Sequence, residues 1–390
     1  MTSWIAAGVI VIGALAVPAQ LVAETGGEAP QAPAKEAEPD ALLDTMIGQM
    51  ILVGFPGQNG RDPGVVAARD QLAKGVVGGV VLYPENIVSP GQLKSLTAYL
   101  RNAKSNSIPF IAVDQEGGLV QRLARRTGHT DFPSANSIAA NPSYSAEESV
   151  KRLYGAMAAE LAEAGFNLNL APVIDLDLNP ANPVIGARER SFGSDPKRVT
   201  DFARAFIEAH RRENVVTAAK HFPGHGSSQT DSHESFSDIS KTWRDRELEP
   251  YRVLAQEGLL DMVMVGHLYH PRFSDGSKLP ASLSGRAVRS LRDPHWLAFK
   301  GVVMSDDLEM GAVEDYPVEE RVIKAINAGT DLIMFSNVMS ENPELGVKLH
   351  AIIADAVRNG LISRTRIEQA YGKIMLLKRK LVQKDLGGKW

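Results

Sequence analysis

The sequence predicts an α/β fold, a (β/α)8 barrel formed as a single domain over residues 41–390. Three observations carry this prediction. Short apolar, β-branched runs alternate with longer segments of helical period. The runs number eight and are almost continuously hydrophobic, as strands covered on both faces require. Polar or ionisable residues follow most of the runs, where a barrel has its C-terminal mouth.

In chain order the runs are residues 50–55, 76–82, 109–113, 167–173, 215–219, 262–265, 301–304 and 331–335. Between them, residues 90–102, 146–164, 196–211, 247–256 and 318–328 carry the spacing of helices, the crossovers that parallel strands need. No Gly-x-Gly-x-x-Gly follows the first run, which weighs against an open dinucleotide-binding sheet. No break in composition divides 41–390. The last helix, residues 364–382, places Ile367, Ala370, Ile374, Leu377 and Leu381 on one face, which is expected to pack on the barrel exterior. The basic cluster Lys378-Arg379-Lys380 is read as solvated charge complementing the dipole of that helix.

The first 40 residues differ. Residues 4–19 carry no charge, and Val17-Pro18-Ala19 and Leu21-Val22-Ala23 resemble small-residue cleavage sites. Residues 24–40, rich in Pro, Ala, Gly and Glu, read as a disordered tether. The expectation is a signal peptide or membrane anchor at 1–23 and a linker at 24–40, hence an exported, periplasmic or outer-face protein; a buried N-terminal helix is the alternative. With no cysteine, the chain has no disulfide, thiolate metal site or cysteine nucleophile. A net charge of −4, from 42 basic and 46 acidic residues, offers no basic footprint for nucleic acid.

The residues after the strands carry the chemistry. Run 3 leads into Asp114-Gln115-Glu116-Gly117-Gly118, and run 4 is followed by Asp175, Asp177 and Glu189-Arg190-Ser191. Run 5 ends in Lys220-His221, run 6 in His267, run 7 in Ser305-Asp306-Asp307 and run 8 in Ser336-Asn337. The densest stretch extends from Lys220-His221-Phe222-Pro223-Gly224-His225-Gly226 to Asp231-Ser232-His233. Its glycines and proline make it a loop. Three readings are open for it. His221, His225, His233 and Asp231 are candidate metal ligands, though without the helical His-Glu-x-x-His spacing. Alternatively, Asp231 and His233, two apart in an extended loop, form an acid/base pair in which the carboxylate fixes the imidazole tautomer. An isolated Asp-x-His is also simply a histidine capping its own loop.

Taken together and in order, these strings, with Val120-Gln121-Arg122, Arg190-Ser191-Phe192-Gly193, Pro280-Ala281-Ser282-Leu283-Ser284 and Ser305-Asp306-Asp307-Leu308, resemble the family 3 glycoside hydrolases. The subgroup is the β-N-acetylglucosaminidases that process cell-wall muropeptides. The resemblance implies retaining hydrolysis with no cofactor and no metal, acting on N-acetylglucosamine-containing glycans. It implies Asp306 as nucleophile, His233 as acid/base and Asp231 as its partner. It also implies sugar binding by Asp114, Arg122, Arg190, Lys220 and His221. Leu119 departs from the pattern, standing where many relatives carry arginine. Phosphorolysis at the same site is a rival reading, since a histidine acid/base does not repel an incoming phosphate. A metal-dependent hydrolase using the histidine loop and a non-catalytic sugar-binding barrel complete the alternatives.

Overall fold

The computed structural model describes residues 40–385 apart from 104, 106, 145, 146 and 277. The expected export segment, and the tether up to residue 39, lie outside the described residues. Eight strands follow the predicted runs: β1 (Ile51–Gly54), β2 (Gly79–Leu82), β3 (Phe110–Val113), β4 (Leu168–Asn169), β5 (Val216–Phe222), β6 (Met262–Val265), β7 (Val302–Asp307) and β8 (Leu332–Phe335). All pair in parallel and close in the order β1-β8-β7-β6-β5-β4-β3-β2. Seven correspond closely to their runs. The fourth shrinks to two residues because Pro172, with no N–H to give, interrupts the ladder; pairing resumes at Val173 opposite Lys220.

The surrounding layer is built from the helices α1 (Ala41–Gln49), α2 (Pro63–Ala73), α3 (Pro90–Arg101), α4 (Glu148–Glu163), α5 (Pro196–Arg212), α6 (Glu249–Gln256), α7 (Gly285–Arg292), α8 (Val318–Ala328), α9 (Leu345–Arg358) and α10 (Arg364–Asp385). Local sequence explains their ends. Asp40 caps α1 by accepting the Leu43 N–H at 3.1 Å. Ser89 caps α3 ahead of Pro90, and Asp195 caps α5 ahead of Pro196. Among the described residues no helix is long and apolar enough to cross a membrane.

In α10, Ile367, Ala370, Ile374, Leu377 and Leu381 are buried as their spacing predicts. The reading of Lys378 as solvated charge is corrected. Lys378 is 1% exposed, donates to Gln49 Oε1 and the Gly78 carbonyl at 2.7 Å each, and lies 4.6 Å from the centre of the Phe110 ring. Its position on the same helical turn as Ile374 and Leu377 turns it inward, beneath the barrel.

Two irregularities prepare the site. Between Ala219 and Phe222, β5 advances three residues while β6 advances two. Between Met304 and Asp307, β7 advances three residues while β8 advances two. Each bulge re-aims the side chains it contains. They contain Lys220-His221 and Ser305-Asp306, all at the C-terminal mouth.

Candidate active site

The turn after β3 is folded by Gln115, whose amide donates to the Leu123 carbonyl at 2.9 Å. Its Oε1 accepts the N–H groups of Arg122 and Leu123 at 2.9 and 3.1 Å. The hairpin reverses through Gly117 and Gly118 at φ +97° and +61°, a region where a side chain is strained. Arg122 is thereby returned to Asp114, to which its Nη2 donates at 3.2 Å. From β5, Lys220 Nζ reaches both Asp114 and Glu116 at 2.8 Å. Arg190 closes the cluster with a bidentate pair to Glu116, 2.8 Å on each arm. Burial works against both carboxylates. Lys220 and Arg122 outweigh it for Asp114, and Arg190 and Lys220 for Glu116, so both lie below their ordinary range. The cluster is a floor of fixed charges, three positive and two negative.

Beside it, Asp175 is fully buried and accepts His221 Nδ1–H at 2.7 Å and the His225 N–H at 2.8 Å. His221 Nε2 lies 3.4 Å from Arg190 Nη2, which has only hydrogens to offer. The hydrogen that Asp175 accepts is therefore carried on Nδ1.

The two aspartates ending β7 point to different surroundings. Asp306 is 8% exposed and stands within the fields of His221, His267 and His233, which outweigh burial and hold its carboxyl below the ordinary value. Asp307 accepts the N–H groups of Glu309 and Ser336 at 3.1 and 3.0 Å, which ties it into the wall, and burial pushes it up to about 6. His267 is held between the Ser282 hydroxyl and the Asp307 carbonyl, each at 2.7 Å. Its Nε2–H must donate to the carbonyl, which cannot itself donate.

Asp231 and His233 pair as their spacing suggests, but by a different route. The segment is a turn and not an extended loop: the N–H groups of Glu234 and Ser235 both donate to the Asp231 carbonyl. Asp231 Oδ1 accepts the backbone N–H of His233 at 2.8 Å and its Nδ1–H at 2.6 Å. Burial opposes the Asp231 charge, and the His233 bonds more than offset it. The His233 side chain is 58% exposed, with Nε2 left unengaged by Asp231.

All eight residues singled out from the sequence thus lie at one end of the barrel. Asp114, Arg122, Arg190, Lys220 and His221 form its charged floor, Asp306 stands on a strand end, and Asp231 and His233 sit on an overhanging turn. Sequence reasoning missed the supports Glu116, Asp175, His225 and His267, although each follows a strand in the motifs already noted. It also missed Tyr83, one residue past β2, where the Arg122 guanidinium lies 5.7 Å from its ring centre. Burial and the charges of Asp307 and Asp114 push the Tyr83 hydroxyl well up. His221, His225 and His233 take Asp175, Ser232 and Asp231 respectively as partners. Among the described residues no three His, Asp or Glu side chains converge as a donor set for a metal ion.

Comparison with known proteins places the site in context. The glycosyl hydrolase family 3 N terminal domain matches residues 42–377. Beta-hexosaminidase A of Pseudoalteromonas piscicida is 30% identical over 384 residues, covering 90% of this chain and 63% of that protein. A beta-hexosaminidase of Pseudomonas aeruginosa is 36% identical over 265 residues, covering 67% of this chain and 75% of the relative. In structure, a family 3 beta-N-acetylglucosaminidase from Paenibacillus sp. str. FPU-7 superposes with a TM-score of 0.77 at 32% identity, over 88% of this chain and 63% of that one. The chain therefore spans a little under two thirds of the length of the Pseudoalteromonas and Paenibacillus proteins.

Proposed function

The chain belongs to glycosyl hydrolase family 3, and we propose that it removes terminal, non-reducing β-linked N-acetylglucosamine with retention of configuration. One observation carries the reading. A carboxylate kept ionised by surrounding histidines, Asp306, shares the mouth with an exposed histidine whose far ring nitrogen is locked by Asp231.

In the first step Asp306 attacks the anomeric carbon while His233, protonated, gives its Nε2 proton to the glycosidic oxygen. The C–O bond breaks, the aglycone leaves as an alcohol, and a glycosyl ester remains on Asp306. In the second step water attacks the same carbon and gives its proton to His233, and Asp306 departs as carboxylate. Asp231 holds Nδ1–H throughout, so the proton always moves at Nε2. Lys220, Asp114, Arg122, Arg190 and His221 bind sugar hydroxyls from the charged floor. The natural substrates in this reading are peptidoglycan fragments, met outside the cytoplasm after export through residues 1–23.

The test is release of aryl alcohol from an aryl β-N-acetylglucosaminide and from the matching β-glucoside, with chelator present. Preference for the N-acetyl sugar is the expected result, and inertness toward both would overturn the proposal. Fractionation of cells expressing the full chain tests export, with activity confined to the cytosol as the contrary outcome.

A further inference from the structure

We infer that His225 and Ser232 form a buried latch that holds the Asp231/His233 turn in position over the mouth, making His225 a positioning residue for proton transfer. The inference rests on the assignment of His233 as acid/base.

The turn is exposed at its ends and anchored at its middle. His233 is exposed, yet Ser232, between it and Asp231, is 1% exposed and its hydroxyl lies 2.8 Å from His225 Nε2. His225 is itself fixed on three sides. Its N–H donates to Asp175 Oδ1 at 2.8 Å, its carbonyl accepts Asn182 Nδ2–H at 2.7 Å, and its ring stands edge-on to His221 at 5.8 Å between centres. The next residue, Gly226, is seated so closely on the loop after β4 that a Cβ there would lie 1.6 Å from the Leu176 carbonyl oxygen. One buried carboxylate, Asp175, thus anchors both His221 on the floor and His225 under the overhang.

From the opposite side the turn is held by backbone hydrogen bonds. The N–H groups of Gly311 and Ala312, on the loop that follows Asp306, donate to the carbonyls of His233 and Ser232 at 3.0 and 3.2 Å. Two adjacent backbone bonds on one side do not by themselves oppose rotation of the turn about them; the buried Ser232–His225 bond on the other side opposes it. Burial pushes the His225 ring down to about 4, so it stays neutral and the latch holds across the working pH range. His225 Nδ1 has no partner among the described residues, so Nε2 is the side of the ring that the latch uses.

Rocking of His233 matters only where its proton is needed. A glycoside with a poor leaving group needs the proton as its C–O bond breaks, whereas a dinitrophenyl glycoside departs without it. The full chain and its His225→Ala, Ser232→Ala and His225→Gln variants are therefore to be assayed on N,N′-diacetylchitobiose and on dinitrophenyl β-N-acetylglucosaminide, with thermal melts alongside. The two alanine variants are expected to lose about 10- to 100-fold in kcat/KM on the disaccharide, the scale of a misplaced general acid. On the activated substrate kcat/KM should change less than about threefold, with azide raising kcat by replacing base-assisted water as nucleophile. His225→Gln, whose amide nitrogen reaches the Nε2 position, should recover most of the disaccharide activity. Equal losses on both substrates, or none on either, would overturn the latch. A wild-type chain idle on both would instead remove the glycosidase reading, and the latch with it.

Discussion

Glu247, just ahead of α6, offers a measurement in which the sign as well as the size is dictated by the structure. Its carboxyl is fully buried and accepts the Arg244 N–H at 3.2 Å through Oε1. Burial raises it from 4.5 to about 8; Ser227 and the Arg244 N–H offset this in part, and the charge of Asp175 adds to it. Between pH 4.5 and about 8 the folded protein therefore keeps a proton that the unfolded chain has released. Stability supplied by this group is greatest below pH 4.5 and falls as pH rises to 8, beyond which it is constant. At about 1.4 kcal/mol per pH unit of difference, the full window is worth a few kcal/mol, with solvent relaxation reducing it from the limit. Glu247→Gln keeps the shape and cannot ionise. Relative to the wild type it should gain stability progressively from about pH 5 to about pH 8.5. Denaturant unfolding of both proteins at several pH values in that range reads the difference directly. Parallel stability profiles would show that Glu247 is not protonated in the folded protein and refute the reasoning.

Asp306→Ala should lower kcat by more than about a thousandfold, since the covalent step is lost. Its thermal midpoint should stay near that of the wild type, and retention of near-normal turnover would remove Asp306 from the reaction. Arg190→Leu leaves the buried Glu116 with Lys220 alone, and breaking such a pair costs about 3–5 kcal/mol; equilibrium unfolding should show it. Arg190→Lys should lose less, because charge remains and only the fork is gone. Lys378 has the opposite pH signature to Glu247. Burial pushes it down to about 7, so between there and 10.5 only the unfolded chain holds the proton and stability rises with pH. Lys378→Met should therefore stabilise most below about pH 7 and lose that advantage progressively as pH rises toward 10.5, as urea titrations across that window would reveal.

Much of the site was legible because a barrel places strand ends together by construction. Asp114 and Lys220 are the first polar residues after their apolar runs, and His221 and Asp306 come one residue later, so locating the runs located the mouth. The pairing of Asp231 with His233 was legible as a contact but not as a shape, because a turn and an extended loop both bring residues two apart together. The choice between Asp306 and Asp307 was not legible from alternation. The extra residue in β7 breaks the period of two at that point, and the family resemblance, not the spacing, singled out Asp306. Lys378 was misread for a related reason. Its charge favoured solvent, and only the depth of α10 against the barrel base, with Gln49 and the Gly78 carbonyl as acceptors there, reversed that preference.

The sequence by itself determined the architecture, and with it that residues following the strands gather at one end of the barrel. Period and run length are local properties, and eight covered parallel strands have few ways to close. Tertiary structure alone decided the supports and the aim: the two bulges at Lys220-His221 and Ser305-Asp306, the Asp175 carboxylate shared by His221 and His225, and the anchoring of the overhanging turn from both sides. These depend on register between strands and on contacts between residues as much as 106 positions apart, as for Lys220 and Asp114. No local pattern encodes such contacts, because the energy that favours them exists only once the barrel has closed.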